Sequence, residues 1–203
     1  MEDEEKTISF KILILGESTV GKTTFTQRFC EKQFNPNNLS TAGIETYNKK
    51  LIRDNKSIFL KIFDTAGQNR YRNIVKNQFG GADGILLLYD ISNKESFDMI
   101  SKWIESLLKI VDKEIGLIIV GNKSDLKEKR QVTEDMRIDL EEKQGMKVME
   151  ASAFENYNVT EAFELLVDDM LKINSGQKTQ EDKENFQKKK DDYDQSHSKC
   201  FCF

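Results

Sequence analysis

The apolar run Ile12-Leu13-Ile14-Leu15 leads straight into Gly16-Glu17-Ser18-Thr19-Val20-Gly21-Lys22-Thr23, and Phe25 and Phe29 follow one helical turn apart. This stretch satisfies G-x-x-x-x-G-K-[ST], with a buried strand before it and a helix after it, the context in which that spacing makes a phosphate-binding loop. Gly16 and Gly21 let the backbone wrap closely round an anion with its N–H groups turned inward. The following helix aims the positive end of its dipole at the same place. Lys22 is then placed to reach β- and γ-phosphates, and the Thr23 hydroxyl to ligate Mg2+.

The rest of the chain repeats the strand-then-helix grammar. Strands are expected over Ile8–Leu15, Thr46–Ile52, Ser57–Phe63, Gly84–Tyr89, Gly116–Gly121 and Met146–Glu150. The runs at Gly84 and Gly116 are continuously apolar, as suits parallel strands covered on both faces. Arg53-Asp54-Asn55-Lys56 reads as a turn, making the second and third strands an antiparallel hairpin. Helices are expected from Lys22 to Gln33, through Phe97, Ile100, Ile104, Leu107, Leu108 and Val111 as one long element, from Thr133, and along the stripe from Val159 to Leu171. Asn158 followed by Glu161 reads as a capping box. Phe34–Thr41 and Thr65–Gly81 read as loops, the second with a short helix near Tyr71–Gln78. The fold class is therefore α/β: a mostly parallel six-stranded sheet, one antiparallel edge strand, and helices on both faces. Ligands in such sheets bind at the carboxyl ends of the strands, where the phosphate loop sits.

Three segments are expected: an acidic extension over residues 1–7, a nucleotide-binding domain over 8–174, and a flexible tail over 175–203. The tail holds six Lys and six Asp or Glu and few apolar residues, too little to bury a core. The chain carries a net charge of −4, which argues against nucleic acid as a partner of the folded body. Its acidic start is unlike a signal peptide, Glu2 does not suit myristoylation, and no apolar run approaches the ~20 residues of a membrane helix. A cytosolic setting follows, in which Cys30 is a small packing residue. Trp103 is read as a packing aromatic and His197 as a solvated tail residue.

Three further motifs stand at strand ends. Asp64-Thr65-Ala66-Gly67-Gln68 follows Leu60–Phe63. An acid there holds Mg2+ opposite the first loop, Gly67 can present its N–H to a γ-phosphate, and Gln68 can orient an attacking water. Asn122-Lys123-Ser124-Asp125 ends the Ile118–Gly121 strand. The Asp125 carboxylate can accept from both N1–H and the exocyclic amine of guanine. Adenine lacks those donors, and a site built on such bonds rejects it by factors of order 10^4. Ala151-Ser152-Ala153-Phe154 follows the last strand.

With these motifs in this order, residues 8 to 174 resemble the Ras-like small GTPases. The resemblance implies a monomeric domain that hydrolyses GTP to GDP with Mg2+. It carries Lys22 and Gln68 over as catalytic groups. Ser18, Thr19, Val20, Gly21, Lys22, Thr23, Thr24, Phe34, Thr41, Gly67, Asn122, Lys123, Asp125, Ser152, Ala153 and Phe154 become nucleotide-binding, and Thr23, Thr41 and Asp64 become metal ligands. Phe34 would pack on the guanine, and the Ala153 N–H would meet its O6. Within the superfamily the chain is similar to Rab proteins through Ser40–Glu45, Leu60–Gln68, Gly80-Gly81-Ala82-Asp83 and Tyr89-Asp90-Ile91-Ser92. Departures from the usual pattern stand at Thr19, Thr46, Tyr47, Asn69 and Phe154. The Rab resemblance implies an exchange factor, a GTPase-activating protein, effectors and a GDP-dissociation inhibitor or escort protein as partners. It also implies vesicle trafficking on the cytosolic face of intracellular membranes.

Cys200 is fourth from the end and fits C-a-a-X with Phe203 last, while Cys200 and Cys202 together resemble a doubly prenylated C-x-C ending. Both readings are lipid anchors. Two other functions remain open from the residues alone: an ATPase or nucleotide kinase sharing the phosphate loop, and a nucleotide-locked scaffold that turns nothing over.

Overall fold

A computed structural model describes residues 7–35, 43–53, 55–65, 81–111, 114–177, 187–188 and 190–191. Within them the chain runs β1 (Ile8–Gly16), α1 (Lys22–Glu31), β2 (Ile44–Arg53), β3 (Lys56–Thr65), β4 (Gly84–Asp90), α2 (Lys94–Asp98), α3 (Ile100–Leu108), β5 (Gly116–Asn122), α4 (Glu134–Gln144), β6 (Lys147–Glu150) and α5 (Val159–Asn174). The strands form a single sheet in the order β2-β3-β1-β4-β5-β6. Every pairing is parallel except that of β2 with β3. The expected six-stranded sheet with one antiparallel edge strand is what the chain forms. The expected short helix near Tyr71–Gln78 lies outside the described residues.

Alternation along β1 explains the two-sided core, since successive side chains point to opposite faces. Ile12 and Ile14 join Phe25, Phe29, Phe163 and Leu166 on the face covered by α1 and α5. Leu13 and Leu15 join Tyr89, Trp103, Ile104 and Leu140 on the other. Burying each large apolar side chain contributes about 1.5–3 kcal/mol. Phe29 and Phe163 stack with ring centroids 3.8 Å apart, which fixes α1 against α5.

Three expectations about element ends are corrected. The long helix through Phe97 to Val111 is two pieces that end at Leu108, with Met99, still right-handed in backbone, standing between α2 and α3. Helix α1 stops at Glu31, before Gln33, because Lys32 turns left-handed at φ 59°. Asn158 does precede α5, but it caps nothing with its side chain. It sits at φ 54°, and its amide donates to the Glu150 carbonyl at 2.8 Å, fastening the end of β6. The Thr133 start behaves as expected: its hydroxyl accepts from the Met136 N–H at 3.3 Å.

Candidate functional site

The ends of β1, β3, β4 and β5 and the loop after β6 meet on one rim of the sheet, and the motif residues gather there. Gly16 closes β1 at φ 135°, where an added Cβ would lie 2.2 Å from the Leu88 carbonyl oxygen. Gly21 stands just before α1 at φ 93°, and a Cβ on it would lie 2.5 Å from the Asn122 amide nitrogen. Both positions require glycine, on sterics as well as on backbone conformation. No side chain caps α1, so its first N–H groups face the loop. Thr24 bonds back to the Gly21 carbonyl at 2.9 Å. Ser18 lies in the turn of the same loop, and Val20 is buried beneath it.

Lys22 is folded into this loop. Its ammonium donates to the Glu17 carbonyl at 2.8 Å and to the Gly16 carbonyl at 3.1 Å. Burial pulls its pKa down to about 8, against the opposing attraction of Asp64 and Glu17. The Thr23 hydroxyl donates to the Asp64 carboxylate at 2.5 Å, so these two oxygen groups meet across the sheet end. Among the described residues no three or more His, Cys, Asp or Glu group to hold a metal. A hydroxyl and one carboxylate form a hard-oxygen pair that fits Mg2+, which usually takes one or two carboxylates and fills the rest of its shell with water and phosphate oxygens.

Two bonds tie the base-side motifs to the loop, and three more tie those motifs to their surroundings. The Asn122 side-chain amide donates to the Val20 carbonyl at 2.9 Å and accepts from the Ala153 N–H at 3.2 Å. Lys123, itself left-handed at φ 65°, donates to the Thr19 carbonyl at 2.8 Å and pairs with Asp90 at 2.6 Å. The Ser152 hydroxyl donates to Asp125 at 2.5 Å, fixing one carboxylate oxygen. Phe34 and Phe154 meet edge to face, with ring centroids 5.3 Å apart. Of the expected site residues, the structure therefore brings together Ser18, Thr19, Val20, Gly21, Lys22, Thr23, Thr24, Asp64, Asn122, Lys123, Asp125, Ser152 and Ala153, with Phe34 and Phe154 beside them. Thr41, Gly67, Gln68, Cys200 and Cys202 lie outside the described residues.

Sequence reasoning missed two braces. Arg28 on α1 donates to the Ala153 carbonyl at 2.8 Å and to the Phe154 carbonyl at 3.1 Å, and lies 5.4 Å from the Phe34 ring centre. Trp103 donates from its indole nitrogen to the Glu17 carboxylate at 2.9 Å. Both contacts join residues far apart in the chain, so no local spacing announces them.

The comparisons agree with this geometry. The Ras family model matches residues 11–172. Ras-related protein Rab-8B of Bos taurus is 43% identical over 166 residues, covering 81% of this chain and 80% of the relative. Ras-related protein RGP2 of rice is 41% identical over 171 residues, covering 84% and 79%. Ras-related protein RABA5a of Arabidopsis thaliana is 40% identical over 172 residues, covering 85% and 78%. A family match across most of the chain, on a mostly parallel six-stranded sheet with the phosphate and base motifs at one rim, means that the chain belongs to the Ras family of small GTPases, in its Rab group.

Proposed function

We propose that this GTPase works as a Rab-like membrane switch, with Mg2+ bound beside the phosphates and effectors recruited in the GTP state for vesicle transport. The observation that carries the reading is Asn122, whose one side chain bonds both the phosphate loop at Val20 and the loop bearing Ala153. A ligand spanning both loops meets one preorganised frame. In this reading the Ser18–Thr24 backbone cradles the phosphates, and Lys22 leaves its own loop carbonyls to bond them. Thr23, Asp64 and Thr41 would hold Mg2+, which supplies neutralisation of phosphate charge when bound. Asp125, with one oxygen held by Ser152, receives the guanine N–H groups. Phe34, Lys123, Ala153 and Phe154 line the base. Gly67 senses the γ-phosphate and Gln68 orients water.

Ordering of the loops around Thr41 and Gly67 by the γ-phosphate, and their release on hydrolysis, would make the switch. An exchange factor, an activating protein, effectors and a dissociation inhibitor or escort protein are the partners this cycle needs. Residues 175–203 would serve as a tether, with Cys200 and Cys202 carrying prenyl groups. One chain gives marginal, reversible membrane binding, whereas two hold stably. No helix among the described residues is long and apolar enough to cross a membrane.

Chromatography of the nucleotide released from purified protein tests the core of the proposal. GDP or GTP, with guanine nucleotides displacing it and ATP failing to, supports it. An empty protein that prefers ATP refutes it. Single-turnover hydrolysis by Gln68→Leu tests the water-orienting role, and an unchanged rate would remove Gln68 from the mechanism. Mass analysis of the C-terminal peptide from membrane-bound protein decides between one lipid, two and none.

A further inference from the structure

We propose that Trp103 is a positioning residue for the phosphate loop. Its indole N–H holds the Glu17 carboxylate, and through Glu17 it holds the loop segment that carries the resting contacts of Lys22.

Trp103 lies on α3 and is only 5% exposed, packed with Leu13, Leu15, Ile100, Ile104 and Leu107. A purely packing aromatic at such a place has no need of a nitrogen, and a buried indole N–H must find an acceptor. The acceptor here is Glu17 Oε1 at 2.9 Å, a residue 86 positions away. Glu17 is the second residue of the loop that opens at Gly16, and it works in two directions. Its side chain is tied to α3, while its carbonyl accepts the Lys22 ammonium at 2.8 Å. The neighbouring Gly16 carbonyl accepts the same ammonium at 3.1 Å. One side-chain bond therefore connects a helix of the core to the backbone that surrounds the lysine.

The phosphate-loop pattern specifies neither a carboxylate at position 17 nor any residue on α3. A negative charge beside bound phosphates is unfavourable in Coulomb terms, so electrostatics alone would favour its removal. The indole bond gives that carboxylate a structural task. With the bond broken, the loop loses its anchor to α3 and its backbone N–H groups lose their fixed aim at the anion. Bound nucleotide is then held less long.

The inference rests on the reading of this loop as the diphosphate site, and the test separates the two. Dissociation of N-methylanthraniloyl-GDP is followed by stopped flow with Mg2+ present, for wild type, Glu17→Ala, Glu17→Gln, Trp103→Phe and the double variant Glu17→Ala/Trp103→Phe. A hydrogen bond to a charged group, lost from a partly buried site, corresponds to release about tenfold faster in Glu17→Ala and in Trp103→Phe. The double variant should be no faster than either single one, since both remove the same bond. Glu17→Gln keeps an oxygen acceptor while losing the adverse charge, so its release should stay within about twofold of wild type. A merely structural weakening would not be rescued in that way.

The inference is overturned if Glu17→Ala and Glu17→Gln release GDP at the same rate, or if the two single effects multiply in the double variant. Should Trp103→Phe fail to fold, the two Glu17 variants decide the matter with the indole intact. If wild type itself retains no guanine nucleotide, the diphosphate reading of the loop has failed, and this inference falls with it. If wild type retains GDP and the variants match it, the inference alone is wrong.

Discussion

Replacing Arg28 with Ala tests whether the loop after β6 is held for the ligand or merely for the fold. The guanidinium donates to the Ala153 and Phe154 carbonyls at 2.8 and 3.1 Å and lies 5.4 Å from the Phe34 ring centre. A hydrogen bond from a charged group contributes about 1.5–3 kcal/mol, and a cation over an exposed aromatic about 0.5–1 kcal/mol. The Phe154 bond is exposed to solvent, so water replaces much of it. All three contacts also share one side chain, which makes them non-additive. We therefore expect a net loss of about 2 kcal/mol from the bond to Ala153 and the partial contact to Phe154. If the whole loss appears as faster escape of bound GDP, it corresponds to roughly a 30-fold rise in release rate. The assay is fluorescent GDP dissociation alongside urea unfolding of the nucleotide-loaded protein. Arg28→Lys should fall between wild type and Arg28→Ala, because it keeps the charge and loses the fork. Unchanged GDP release together with a full loss in unfolding free energy would refute the argument, since Arg28 would then brace the fold and not the site.

The other predictions concern single interactions. Gly21→Ala should abolish tight nucleotide retention in a pull-down with labelled GDP, because the new Cβ falls 2.5 Å from the Asn122 amide at a backbone φ of 93°. Phe29→Ala should lower unfolding free energy by about 3–5 kcal/mol in urea titration, through loss of the stack on Phe163. Burial pushes the Cys30 thiol from its ordinary value near 9 up to about 11. The folded chain thus keeps a proton that the unfolded chain gives up, so Cys30 should make stability fall as pH rises from about 9 to about 11. Its reaction with a thiol reagent at pH 8 should be slow while the protein is folded.

Much of the fold was legible because local pattern and burial agree. The runs at Ile12, Leu86 and Ile118 are apolar on every residue, and each becomes a strand with both faces covered. The motif residues were legible because each motif follows directly on a strand, two of them on these fully apolar runs, β1 and β5. What escaped was decided by distant partners. Asn158 and Glu161 have the spacing of a capping box, yet Asn158 turns left-handed and spends its amide on Glu150. Thr19 and Lys123 take positive φ without being glycine, where Lys123 binds the Thr19 carbonyl and Asp90. A β-branched residue rarely accepts that backbone, so nothing in its identity forecasts it. Arg28 and Trp103 look from the sequence like ordinary helix residues, and only the folded sheet brings their partners within reach.

The bonds that shape the rim share one physical character. Asn122, Lys123, Arg28 and Trp103 each join two loops or a loop to a helix, and most of their acceptors are backbone carbonyls. A carbonyl cannot be removed by substitution, so such a brace depends only on its donor and on the geometry that delivers it. The rim can therefore tolerate the Phe at position 154, a residue 62% exposed whose carbonyl still receives Arg28. It follows that the departures most able to alter nucleotide turnover are those that change a donor or the backbone conformation. Thr19, β-branched at φ 66° in the phosphate loop, is one of these. Phe154, which changes only an exposed side chain beside Phe34, leaves the frame that aims the loops intact.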